Sequence, residues 1–210
     1  VPGWEPFVRR LLDTERIDLF ISGSSSRLLS RELATSMRGR AMETVITPFS
    51  FREFLRGRNW PGDAAQRLAS SAERSALRAH FDAYLEIGGF PEAGSFTAAR
   101  DRIGLLQGYV DTVLFRDVAE RHQISNLPAL RAFVRQLLRH PATLLSVSKV
   151  HADFASRGIA ASKETLLALL GHLEDAFLVF TVPLAGRSER QRQVNPRKLY
   201  LADHGLAQAF

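Results

Sequence analysis

The spacing of apolar residues divides the chain into a short mixed segment followed by a long helical one. Phe7, Val8, Leu11 and Leu12 fall on one side of a helix predicted over 4–12. The apolar run IDLFIS, residues 17–22, reads as a short buried strand that turns at Gly23. Ser24, Ser25 and Ser26 are all suitable N-caps for a helix carrying Leu28, Leu29 and Leu33, which ends near Arg38-Gly39-Arg40. METVIT, residues 42–47, is a second β-prone run, so the first part alternates α, β, α, β, as in a parallel α/β layer.

Two helix starts follow with the same signature. Ser50 and Glu53, then Ser70 and Glu73, have capping-box spacing, and Phe49 and Phe54 are placed as a hydrophobic staple. The second of these helices presents Leu77, Phe81, Tyr84 and Leu85 and is broken at Ile87-Gly88-Gly89-Phe90-Pro91, with Pro91 suited to start another. The next carries Leu106, Val110, Val113 and Leu114 inward, together with Arg116-Asp117, read as a surface ion pair or a sensor. From about residue 127, Leu130, Phe133, Val134, Leu137 and Leu138 form an unbroken helical stripe. A helix with Val147, Val150 and Phe154 follows, then a turn at Gly158 and a helix capped by Ser162, with Leu166, Leu169, Leu170 and Leu173 inward. Two β-prone runs, FLVFTVPL and RKLYLAD, close the chain around a polar stretch. Three helices and a basic hairpin describe a winged helix.

Composition narrows the chemistry. The 210 residues, 45% hydrophobic, suffice for one or two cores. Cysteine is absent, which excludes disulfides and thiolate metal sites and makes a reducing cytoplasm the simplest compartment. No apolar run is long enough to span a membrane, and the N-terminus VPGWEPFVRR is not a signal peptide. It reads instead as the middle of something longer. The formal charge is +6, nearly all the bases being arginine. Such an excess favours phosphate or nucleic-acid partners, and a high-GC genome would produce it as well. No histidine pair has metal-ligand spacing, and no nucleophile–base motif occurs.

Six stretches, IDLFISGSSSRLLSRELATSMRGR, TPFSFREFL, YLEIGGFPEA, YVDTVLFRDVAER, LEDAFLVF and PRKLYLADHGLAQAF, occur in an order that resembles a prokaryotic family of AAA-type P-loop ATPases with an uncharacterised C-terminal domain. The resemblance covers essentially the whole chain. It implies an α+β, mostly helical protein: the C-terminal part of an AAA-type core over 1–56, a helical lid over 57–126 and a winged-helix-like domain over 127–210. In that family the phosphate loop and the acidic Mg²⁺-holding strand precede such a segment, and no G-x-x-x-x-G-K-[ST] match occurs here. The chain is therefore expected to be a fragment that does not hydrolyse ATP by itself. ATP and Mg²⁺ belong to the complete parent, and no cofactor is expected for this chain alone.

The resemblance also assigns roles. Ser24, then Ser25, stand where such ATPases place the sensor 1 residue; the alternative is that these serines only cap the next helix. Arg40, ahead of Arg38, corresponds to an arginine finger offered to a neighbour, against a plain helix-end cation. Gly88-Gly89 marks the lid as a hinge or a structural turn. Self-association through the core follows from the finger. Independently, Arg187, Arg190, Arg192, Arg197 and Lys198 face one acid, Glu189, between Pro183 and Lys198, which fits weak nucleic-acid binding by the wing. A protein-interaction scaffold is the remaining alternative.

Overall fold

The computed structural model describes residues 4–24, 42, 44–60, 70–183, 185 and 196–210. Helix α1 (Trp4–Thr14) forms a small cluster of its own, with Val8 buried between Trp4 and Leu12. Beyond it, residues 16–23 are irregular rather than a strand, as are the described residues of 42–47. Among the described residues neither run is a strand or pairs with one, and the helix expected between them lies outside the described residues. Their apolar side chains stay out in solvent: Phe20 is 94% exposed and Ile46 91%. A β-prone run without a neighbour has nowhere to place its backbone N–H and C=O groups or its apolar face.

Both capping boxes form. Ser50 opens α2 (Phe51–Gly57) and Ser70 opens α3 (Ser71–Ile87), with each serine hydroxyl accepting from the N3 amide and each N3 glutamate reaching back. The helices meet through rings: Phe51 packs edge-on against Phe81 at 5.1 Å, and Phe54 against Tyr84 at 5.2 Å. No residue of α3 is fully buried. It ends at Gly88, whose φ of 89° no β-carbon residue adopts comfortably, and Pro91 opens a 3₁₀ turn (Pro91–Ser95).

The main core starts at Ala93 and runs to Ala209. Helix α4 (Ala99–Thr112) continues directly into a π-helical segment (Val113–Glu120), burying Leu106, Val110, Leu114 and Val118. Against these pack α5 (Leu127–Arg139), α6 (Val147–Ser156) and α7 (Lys163–Asp175), whose expected stripes are buried except for Val147, which is half-buried. Asn126, Ser146 and Ser162 cap their N-termini. Strands β1 (Leu144–Leu145), β2 (Val179–Val182) and β3 (Arg197–Leu201) make an antiparallel sheet in the order β1-β3-β2. The register pairs Val179 with Leu201 and Leu144 with Lys198. Glu174 accepts from both the amide and the hydroxyl of Thr181, fastening the sheet to α7. A last turn, α8 (Gly205–Gln208), returns the chain to α4, where the Gln107 amide donates to the Ala209 carbonyl at 2.8 Å. Among the described residues no helix is long and apolar enough to cross a membrane.

Phe133, fully buried and edge-on to Phe154, sits centrally in this core. Phe133→Ala should cost about 3–5 kcal/mol, read as a lowered urea midpoint with an unchanged slope. A loss under about 1 kcal/mol would mean the core is not packed this way.

Candidate functional site

Ser24 follows the irregular segment 16–23, and its hydroxyl donates to Asp117 Oδ1 at 2.7 Å. Asp117 lies in the π-helical segment and is buried, while Arg116 beside it is exposed. The cation near Asp117 is Arg121, with Nη2 at 3.9 Å, so the ion pair read from Arg116-Asp117 is replaced by one a turn further on. A hydroxyl, a buried carboxylate and a guanidinium thus converge from stretches far apart in sequence. A serine hydroxyl bonded to a charged acceptor is held more firmly than one bonded to a neutral group.

A second buried carboxylate organises the centre. Asp203 Oδ2 accepts from the Gly89 amide at 2.6 Å, and its Oδ1 accepts from the Gly205 amide at 2.9 Å. A β-carbon at Gly88 would run into Asp203 Oδ1, and one at Gly89 into the Phe49 carbonyl. Glycine is required because backbone passes backbone here. Phe49 in turn donates its amide to the Gly89 carbonyl at 2.7 Å and accepts from the Tyr84 hydroxyl at 2.8 Å. Burial, with the Asp203 and Glu53 charges adding to it, lifts the Tyr84 phenol above its usual range, so it remains a donor. His204 Nε2 lies 2.6 Å from the Tyr84 carbonyl, its ring against the phenol at 4.6 Å. The stretches TPFSFREFL, YLEIGGFPEA and LADHG therefore meet at one point, and the Gly88-Gly89 turn is fixed there by Asp203.

The other expected site residues divide in two. Ser25, Arg38, Arg40, Arg187, Arg190 and Arg192 lie outside the described residues. Arg197 and Lys198 start β3, opposite Leu145 and Leu144, and the Lys198 ammonium stands 5.7 Å from the Tyr200 ring centre. The contacts of Ser24 share no residue with these. Among the described residues no group of three histidine, cysteine or acidic side chains could hold a metal ion. His122 and His172, fifty positions apart in the chain, stack at 3.6 Å, a pairing that sequence spacing does not reveal. Asp117 and Asp203 were missed as partners. The one local signal is the Asp203–Gly205 spacing, which suits an aspartate accepting from the amide two residues on.

Residues 78–210 match a family described as a domain of unknown function (DUF8612). The chain belongs to this family. Ahead of the DUF8612 match, residues 1–55 match the AAA domain. An uncharacterized protein of Methanocaldococcus jannaschii, MJ1544, is 34% identical over 97% of this chain and 45% of its own length. An uncharacterized protein of Haemophilus influenzae is 29% identical over 98% of this chain and 49% of its own length. The chain thus spans about half the length of the curated relatives it matches. No solved structure matches it. The DUF8612 match starts within α3, so it contains Gly89, Asp117 and Asp203, while Ser24 lies in the AAA match.

Asp203→Asn keeps the shape but turns an amide NH₂ toward one of the two backbone donors. We expect a loss of about 1.5–3 kcal/mol in urea unfolding. Gly89→Ala, which must displace the Phe49 carbonyl, should cost more. Unfolding curves for both variants that superimpose on the parent's would show that the two amides do not depend on this carboxylate.

Proposed function

We propose that the chain is the sensor, lid and winged-helix portion of an AAA-type ATPase whose phosphate loop and Mg²⁺ ligand lie elsewhere in a longer protein. The observation that carries this reading is the AAA-domain match over residues 1–55, in a chain about half as long as its relatives. Two features add support. The described residues of the apolar runs 17–22 and 42–47 belong to no helix or strand and are exposed, as strands awaiting the rest of a sheet would be. Ser24, at the end of the first run, is bonded to Asp117 in the segment following α4, so a hydroxyl in the sensor position is coupled to the lid.

The chain's own residues do not compose an ATP–Mg²⁺ site. It offers hydroxyls and guanidinium groups, without a G-x-x-x-x-G-K-[ST] stretch. In our reading Ser24, then Ser25, present the sensor hydroxyl. Arg40, ahead of Arg38, is offered to a neighbouring subunit's nucleotide, which makes the complete protein self-associating. Asp117 positions Ser24 and holds it toward the lid. The three helices and sheet of 127–210 form the winged-helix-like part. The absence of cysteine is compatible with the cytoplasm, where we place the protein.

The 210-residue chain alone should show no ATP turnover above that of its Ser24→Ala variant. In the complete protein, Arg40→Ala should lower turnover about a thousandfold while nucleotide binding is retained, because a finger acts on transition-state charge. Unchanged turnover in Arg40→Ala would reduce that residue to a helix-end cation. Mutation-sensitive turnover by the short chain would overturn the reading as a whole.

A further inference from the structure

The described surface carries a basic groove away from Ser24, Asp117 and Asp203. It lies between α5 and the β1–α6 stretch and has a volume of about 820 Å³. Its wall on α5 is a row of arginines, Arg131, Arg135 and Arg139, with Lys149 and Arg157 opposite. The row arises because α5 buries Leu130, Phe133, Val134, Leu137 and Leu138, which leaves 131, 135 and 139 in register on the outer face. The same three arginines border a second hollow of about 460 Å³ toward α4.

The charge in the groove is largely uncommitted. Its acid, Asp153, is neutralised by Arg157 at 3.0 Å. Arg131 lies over the Phe115 ring at 4.8 Å, a contact that orients its guanidinium without cancelling its charge, and Arg139 donates to the main-chain oxygen of Phe210 at 3.0 Å. Arg135 and Lys149 are exposed and have no ion-pair partner among the described residues. Successive arginines of the row are separated by about 6 Å along the helix axis, four residues at 1.5 Å each. That repeat is comparable to the separation of successive phosphates along one nucleic-acid strand, and guanidinium forks grip phosphate oxygens bidentately. Gln136, between two of these arginines, lines the groove with its Oε1 buried and unpaired. A base amino group would satisfy that oxygen, as would a peptide N–H; a carboxylate, which only accepts, would not. Leu144, 64% exposed at the groove's end, gives a base face an apolar surface.

We propose that this groove binds a single strand of nucleic acid, its phosphates along Arg131, Arg135 and Arg139 and on Lys149, and an unpaired base against Gln136. None of the groove's cations is among those from Arg187 to Lys198, and the proposal does not rest on the ATPase reading.

The test is a salt titration of the 210-residue chain against a fluorescein-labelled single-stranded deoxycytidine homopolymer, whose bases carry amino donors. Binding should weaken linearly in a log–log plot. Arg135→Ala/Lys149→Ala should reduce the slope by about 1.4, two phosphate contacts at about 0.7 each for a single strand. Gln136→Leu should weaken binding without changing the slope. Circular dichroism checks that these variants keep the parent's helix content. An unchanged slope in the double variant, a loss seen only in Arg190→Ala/Arg192→Ala, or displacement of the strand by an equal charge concentration of polyglutamate would each overturn the proposal.

Discussion

One carboxylate holds together pieces that sequence keeps far apart. Asp203 accepts from the amides of Gly89 and Gly205, and both groups are buried, so neither has water as a substitute. An unpaired buried donor costs as much as the bond would contribute, so the latch works by the penalty for opening as well as by its own strength. Everything nearby inherits that geometry. Gly88 and Gly89 lie against Asp203, Phe49 lies against Gly89, Tyr84 reaches Phe49, and His204 reaches Tyr84. The N-terminal end of α2, the C-terminal end of α3 and the entry to α8 are thereby set relative to one another by one backbone–backbone bond and by the side chains of Asp203, Tyr84 and His204 reaching backbone groups.

What was legible from sequence is what local chemistry determines. The two capping boxes depend on residues three apart, and the stripe of α5 on residues three and four apart, and both appear as read. The π-helical turn widening of Val113–Glu120 was not legible, since its apolar spacing is the same as that of an ordinary helix. Strand β1, two residues long, carries no pattern at all and exists because β3 is there to pair with it. The opposite failure occurs at 17–22 and 42–47. Their composition is that of strands, but no described strand pairs with them. Strand propensity expresses a fit to neighbours more than a backbone preference.

The candidate site was legible only in half. Ser24 stood out because a hydroxyl follows an apolar run and a glycine. Its acceptor, Asp117, was read as half of a surface ion pair because Arg116 is adjacent in sequence, whereas on the helix the two diverge and Asp117 turns inward. The cations between Pro183 and Lys198 are legible because they crowd into one short stretch of sequence. Arg131, Arg135 and Arg139 are spread over nine positions among leucines and line up only once the helix forms.

The continuous core has a practical side. Ala93, Leu106 and Val110 pack in the same cluster as Leu138, Leu199 and Leu206. A cut anywhere between Gly94 and Gly205 would open that interior to water and strip Gly89 of its acceptor. Dissection of this protein into smaller pieces should therefore place its boundaries before Gly88 or not at all, and a tag or probe inserted in this stretch belongs in a solvent-facing turn such as that beside Gly158, with the glycine itself kept for its φ of 70°.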